Sequence, residues 1–162
     1  MTVREWKIEE VDTVIPLYLD YYNEVEGGCW TPKTARTRLL QVLRIDGAFA
    51  LLAEEKGEPI GFVTGYFKQY DDLVGYMLEE IVIAKERQGQ GFGSALLRET
   101  ERRVRARGAA CIDLQAVNDE RHERFYSRAG YHNAVNFVRK VKWLDTAEKE
   151  AGTAINDKKL LT

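Results

Sequence analysis

The segment RQGQGFGS, residues 87–94, joins an apolar run, EEIVIA, to a segment with helical periodicity that begins ALLRETERR. Its glycines, Gly89, Gly91 and Gly93, occupy alternate positions. Glycines between a strand and a helix let several backbone N–H groups converge on an anion, and the helix adds the positive end of its dipole. The same glycines are also compatible with a tight turn in which they serve only the geometry of the chain.

Two nucleotide-binding motifs do not fit this segment. The dinucleotide fingerprint requires G-x-G-x-x-G, whereas Gly93 is followed directly by Ser94 and Ala95. The P-loop requires a lysine after its last glycine, and none follows Gly93. The spacing therefore excludes both motifs.

The elements around this segment predict one α+β domain. A short strand is followed by two helices, a meander of three strands, and a strand-helix-strand crossover, then a short helix and a last strand. We expect a mixed sheet of about six to seven strands with helices on both faces. Residues 1–144 are predicted to form this domain, and 145–162 a polar tail. The predicted strands are 3–7, 48–55, 60–70, 75–84, 111–117 and 136–143, and the main predicted helices begin near Val11, at Thr31-Pro32, after Gly93 and at Glu120.

Composition narrows the function classes. The chain has 162 residues, 44% of them hydrophobic, and a net charge of −2, so no basic field indicates nucleic acid. No apolar stretch approaches a membrane span, and the N-terminus has no signal-peptide pattern. Cys29 and Cys111 lack metal-site spacing, and only His122 and His132 accompany them. We expect a cytoplasmic protein that has no metal and binds neither nucleic acid nor membranes.

Two carboxylates, Glu79 and Glu80, interrupt the apolar strand GYMLEEIVIA. Because adjacent strand residues point to opposite faces, alternation predicts one carboxylate on each face of the sheet. A buried carboxylate without a partner is costly, so at least one should face a pocket, a cation or water. A salt bridge to a neighbouring arginine is one interpretation, and a general base for an amine is the other.

With these flanks, the segment LEEIVIAKERQGQGFGSALL resembles the cofactor-binding motif of the GNAT superfamily of N-acetyltransferases. That motif, Q/R-x-x-G-x-G/A, is met by Gln88, Gly91 and Gly93, and VNDERHERFYSRAGY resembles the strand and short helix that follow in the family. The resemblance covers residues 3–143 and implies acetyl-coenzyme A as the co-substrate. It implies that loop amides hold the pyrophosphate and that the strand pairs with the pantetheine arm. The cofactor-binding residues implied are Ile81, Val82, Ile83, Gln88, Gly89, Gln90, Gly91, Phe92, Gly93, Ser94, Asn118 and Tyr126.

The resemblance also implies catalytic roles. Glu79 best matches the position of the family's general base, and Glu80 is the alternative. Tyr126 corresponds to the tyrosine that protonates the leaving thiolate, although it is also compatible with ordinary packing. The family's cofactor-binding asparagine corresponds to Asn118 or Asp119, and we prefer Asn118 because an amide both donates and accepts. We expect direct transfer in a ternary complex, because neither cysteine lies in a recognised nucleophile context. The family resemblance alone implies a homodimer.

The acceptor is expected to be a small cationic amine, such as a polyamine, aminoglycoside or amino-acid derivative. In the family the first helices and the meander form the acceptor site, and here those parts are rich in tyrosine and carboxylates, although surface acids also serve solubility. A protein lysine or N-terminus is an alternative acceptor, and a non-catalytic acyl-coenzyme A sensor is an alternative of another class. The candidate substrate-binding residues are Tyr22, Glu26, Asp72 and Glu79.

Overall fold

Five strands form one mixed sheet in the computed structural model, which describes residues 1–142. The strands lie in chain order, the first four antiparallel and the fifth parallel to the fourth. This confirms the predicted meander and crossover, since the helix α3 (Phe92–Ala106) connects the fourth strand to the parallel fifth strand. The strands are β1 (Thr2–Glu5), β2 (Ala48–Glu55), β3 (Glu58–Gln69), β4 (Val74–Ile83) and β5 (Ala109–Leu114).

Four α-helices accompany the sheet. Thr31 opens the second as predicted: its Oγ1 accepts the Thr34 N–H at 3.2 Å, and Pro32 occupies the first helical position. Pro16 lies inside the first helix, which changes to a π-helical segment at Asp20–Val25. The helices are α1 (Val11–Leu19), α2 (Pro32–Leu43), α3 (Phe92–Ala106) and α4 (Glu120–Arg128).

The described residues fall into two compact units. The first, Met1–Ala116, contains the sheet with α1, α2 and α3. The second, 117–142, contains α4 and the residues that flank it. The predicted tail, 145–162, lies outside the described residues.

Within the first unit, helices cover both faces of the sheet. Alternate residues of β2 and β3, including Leu52 and Phe62, are buried in one cluster with side chains of α1 and α2. The intervening residues point to the opposite face, where Phe49 lies beneath the Arg107 guanidinium at the end of α3. This layering confirms the predicted α+β architecture and leaves β4 in the interior of the sheet.

The predicted last strand, 136–143, is wrong over its described residues. Residues 136–142 form no strand, so the described chain has five strands and not six to seven. The exposed fraction is 81% for Phe137 and 78% for Val138. A strand needs a paired edge and a buried face, and these apolar side chains have no buried face here. Trp143 lies outside the described residues.

Candidate active site

One edge of β4 is paired with a neighbouring strand only along the first half of its length. β3 pairs with β4 over its whole length, whereas β5 pairs only with Val74–Leu78. Within residues 1–142, no strand pairs with the β5-side edge of 79–83. Apart from the Ile83 carbonyl, which accepts a hydrogen bond from the Gln88 side chain, the backbone groups on that edge are therefore available to an extended ligand, which would add to the sheet like a strand. Of the predicted residues here, Ile81 is half-buried, while Val82 and Ile83 are buried.

The glycine segment leads from the end of β4 to the start of α3. Gly89 and Gly91 have positive φ values of 72° and 85°, which L side chains rarely adopt, and a Cβ at either position would meet no atom within 4 Å. The Ala95 N–H donates to the Gly91 carbonyl at 3.0 Å, so the amides of 92–94 precede the first intrahelical bond. The segment thus combines open space with the positive end of a 15-residue helix, a fit for a phosphate group.

Gln88 secures this segment to the strand. Its side-chain Nε2 donates to the Ile83 carbonyl at 3.0 Å, and its backbone N–H donates to the Lys85 carbonyl at 3.2 Å. Gln90 makes a similar local bond, from Nε2 to the Glu86 carbonyl at 2.8 Å. Both glutamine side chains therefore stabilise the conformation of the loop by hydrogen bonds to backbone carbonyl groups.

A β-bulge places Glu79 and Glu80 together. Thr64 pairs with Glu80 and Gly65 pairs with Leu78, so Glu79 is an extra residue with no partner on β3. The expectation that the two carboxylates lie on opposite faces is wrong, because the bulge interrupts the alternation on which it rested. Both carboxylates bind the same guanidinium, that of Arg38 on α2.

The two carboxylates are held by α2 and by the π-helical segment. Arg38 donates from Nε to Glu80 Oε1 at 3.1 Å and from an Nη2 to Glu79 Oε2 at 2.5 Å. The Tyr22 hydroxyl donates to the other oxygen of Glu80. Glu80 is only 4% exposed, whereas Glu79 keeps about a quarter of its side chain exposed. Glu79 therefore faces solvent at the bulge, and Glu80 lies behind it.

The burial of Glu80 changes its acidity. Burial raises the pKa of the Glu80 carboxyl to about 7, although the Arg38 charge and the Tyr22 hydroxyl act in the opposite direction. Burial and the proximity of Glu80 also raise the pKa of Tyr22, which keeps its hydroxyl protonated. A carboxyl with a pKa near neutrality is suited to accepting and releasing a proton at physiological pH.

The raised pKa makes folding stability depend on pH. Between its ordinary value of 4.5 and about 7, Glu80 binds a proton in the folded state that the unfolded chain has released. Its contribution to stability is therefore present below pH 4.5 and is lost as pH rises through 7, by up to about 3 kcal/mol.

Denaturant unfolding of wild type and Glu80→Gln at pH 5 and pH 8 tests this pH dependence of the free energy of unfolding. We expect the variant to gain relative stability at pH 8, while Glu54→Gln, from an exposed pair with Arg4, should show no such trend. An equal difference at both pH values would contradict the assignment.

The remaining predicted acceptor residues are not all brought together. Tyr22 contacts Glu80, and Glu26 ends the π-helical segment that contains Tyr22. Asp72 lies in the turn between β3 and β4, seven residues before Glu79, which along a strand corresponds to roughly 23 Å. The acceptor side is thus built around Tyr22 and Glu79, with Asp72 at the far end of the hairpin.

In the second unit, the structure separates the roles of Asn118 and Asp119. Asp119 is the N-cap of α4, where its carboxylate accepts the His122 N–H at 2.8 Å. Asn118 precedes the cap and is exposed. Tyr126 packs against Phe125 and Tyr131, with ring centroids 5.0 and 5.6 Å apart. The capping role of Asp119 favours Asn118 as the residue available for a ligand.

Sequence analysis missed Arg38. In α2 the buried residues are Ala35, Leu39 and Val42, and position 38 lies three residues after Ala35 on the edge of this stripe. A charged residue beside a buried stripe needs a partner of opposite charge. From this requirement, a contact between Arg38 and the carboxylates of β4 could have been predicted.

Residues 1–142 contain no group of three or more side chains arranged to hold a metal ion. Over the same residues, no helix has the length and apolar character needed to cross a membrane.

Several solved structures share this fold. One is a probable acetyltransferase, with 22% identity and a TM-score of 0.72 over 90% of this chain and 99% of that one. Another is a ribosomal-protein-alanine N-acetyltransferase from Brucella melitensis biovar Abortus 2308, with 17% identity and a TM-score of 0.69 over 88% and 100%. A third is an aminoglycoside acetyltransferase from an uncultured soil metagenomic sample, with 24% identity and a TM-score of 0.63 over 87% and 98%. At these identities the likeness establishes the fold.

The family follows from the sequence. Residues 11–131 match the model of the acetyltransferase (GNAT) family. The match spans well over half of the chain, so this chain belongs to the GNAT family of acetyltransferases. No curated protein matches it. The membership confirms the resemblance on which the cofactor and site predictions depend, while the individual site residues remain predictions.

Proposed function

We propose that the protein is an acetyl-coenzyme A-dependent N-acetyltransferase that acts on a primary amine. The observation that supports this most strongly is the combination on one strand of a free backbone edge, at 79–83, and a carboxyl whose pKa is about 7. A donor bound along the edge would present its acetyl group beside the proton acceptor. No other part of Met1–Ala116 combines these two features.

The donor side rests on backbone groups. Acetyl-coenzyme A supplies an acetyl group activated as a thioester. The amides of 89–94 would bind its pyrophosphate, since the positive φ values and the open space at Gly89 and Gly91 leave room for an anion. The edge of β4 at Ile81 and Ile83 would bind the pantetheine amides. For Asn118 and Tyr126, which belong to the second unit, cofactor contacts are proposed from the family resemblance alone.

Glu80 and Glu79 are proposed to have different roles toward the acceptor amine: one accepts its proton and the other binds its ammonium group. The amine forms an N–C bond to the acetyl carbon as the C–S bond breaks. We assign proton acceptance to Glu80, because its pKa lies near neutrality and an alkylammonium at ~10.4 must lose a proton to react. Since Glu80 is buried, its proton would arrive through a water molecule. Glu79, which is partly exposed, anchors the ammonium. From the family resemblance alone, we propose the Tyr126 hydroxyl as the acid that protonates the departing thiolate.

The acceptor is proposed to be a small cationic amine. Glu79 offers a negative charge at the bulge, and the neighbouring rings of Tyr18, Tyr22 and Trp30 form a packed aromatic wall. The two named structural relatives act, by name, on an aminoglycoside and on a ribosomal-protein alanine. Both kinds of amine therefore belong in an assay. A cytoplasmic location is proposed from the sequence pattern and a homodimer from the family resemblance alone.

An assay of thiol release from acetyl-coenzyme A over a panel of amines tests this function. The panel comprises a polyamine, an aminoglycoside, free amino acids, a lysine peptide and a peptide with N-terminal alanine. We expect acetylation of at least one small cationic amine at least tenfold faster than of the peptides, confirmed by mass spectrometry of the product. Tight acetyl-coenzyme A binding with no acetylated amine would overturn the proposal and favour a non-catalytic sensor.

A further inference from the structure

Arg38 is the residue that joins the two β4 carboxylates. Its guanidinium bridges them, with Nε on Glu80 and an Nη2 on Glu79, and about two thirds of its side chain is buried. Arg38 comes from α2, and within residues 1–142 it makes the hydrogen bonds and ion pairs that join this helix to the two carboxylates. The fold thus brings one buried cation to the one point where the bulge places two acidic groups side by side.

Without this cation the pair would be unfavourable. Two neighbouring carboxylates repel each other, so one of them would keep its proton to a higher pH. The groups that face Glu80 are the hydroxyl of Tyr22 from the π-helical segment, the ring of Tyr18 from α1, Arg38 from α2 and the carboxylate of Glu79 on β4. Among them, Arg38 is the only cation. The ionisation of Glu80 at neutral pH therefore depends on Arg38.

We propose that Arg38 is a positioning residue for acetyl transfer, which holds Glu79 toward the acceptor and keeps Glu80 able to accept its proton. This rests on the proposed function. The planar guanidinium suits the task because its nitrogens engage two carboxylates in a fixed relative orientation, which the single ammonium of lysine cannot reproduce. The net charge of the three groups, with both carboxylates ionised, is one negative charge. This matches one ammonium group on the acceptor.

The variants Arg38→Gln and Arg38→Lys test the proposal. For Arg38→Gln we expect the acidic limb of the kcat/KM–pH profile to move upward by about one pH unit or more, with kcat/KM at pH 7 falling about tenfold. For Arg38→Lys we expect the limb to return at least halfway toward wild type, because the charge is restored without the fixed geometry. Arg36→Gln is the matched control. Arg36 lies on the same helix, is 48% exposed and pairs with Asp12, so its loss should leave the profile unchanged.

A second readout needs no turnover. Titration of the glutamate side-chain carboxyls by NMR, with Glu80→Gln identifying the signal of Glu80, should show the same upward shift in Arg38→Gln. If Arg38→Gln retains both the wild-type titration and the wild-type pH profile, the proposal is overturned. A purely structural role for Arg38 is indicated if kcat falls equally in Arg38→Gln and Arg38→Lys with no change in pH profile, and this also overturns it. Failure of the proposed function is distinct: wild type would acetylate no amine, whatever the titration shows.

Discussion

Replacing Glu80 with glutamine is expected to lower kcat/KM for amine acetylation by about 10²- to 10³-fold, which is the usual contribution of a general base. The side chain keeps its volume, but the buried amide cannot accept the proton of the ammonium. We expect wild type to show an acidic limb near pH 7 that reports ionisation of Glu80, and the variant should lose this limb. Steady-state kinetics from pH 5.5 to 9 measure both effects.

Acetyl-coenzyme A binding provides the control for this variant. Its Kd should change by less than about threefold, because Glu80 contacts Arg38 and Tyr22 and lies behind the exposed edge of β4. Glu79→Gln gives the contrast: we expect a raised KM for the amine with the acidic limb retained. If Glu80→Gln is fully active while Glu79→Gln loses the limb, the two roles are reversed and Glu79 is the base.

Replacing Gly91 with alanine is expected to weaken acetyl-coenzyme A binding at least tenfold. Gly91 has a φ of 85°, and the space beside it is open, so the added methyl group would enter the volume proposed for the pyrophosphate. The same change costs stability, by about 1 kcal/mol, because alanine is strained at this φ. Calorimetric titration with acetyl-coenzyme A measures the effect on binding, and thermal unfolding measures the effect on stability.

Gly57→Ala is the matched control for the strain. Gly57 lies in the turn between β2 and β3, has a φ of 86° and likewise has no atom within 4 Å of an added Cβ. It should lose comparable stability with no change in acetyl-coenzyme A affinity. Equal weakening of binding in both variants would mean that strain and not the phosphate site explains the effect.

The sequence predicts the parts of this protein that depend on local signals. The cap at Thr31, the turn at Gly57 and the glycines that end α3 and α4 are each encoded within a few residues. The glycine segment, the downstream segment VNDERHERFYSRAGY and the order of the elements together indicated the family. These features need no knowledge of distant contacts, which is why they could be predicted.

The parts that could not be predicted depend on long-range pairing. The bulge at Glu79 arises from the register between β3 and β4, and a period-two pattern along β4 alone gives no sign of it. The contact of Arg38 with Glu80 joins residues 42 positions apart. The apolar alternation in 136–142 resembles a strand, but pattern alone cannot supply the paired neighbour that a strand requires.

A crystal structure with bound acetyl-coenzyme A tests the central claim most directly. We expect the pyrophosphate against the amides of 89–94, the pantetheine along the free edge of β4 at 81–83, and the thioester beside the bulge that contains Glu79 and Glu80. A donor that binds elsewhere, or one whose thioester lies remote from both carboxylates, would contradict it.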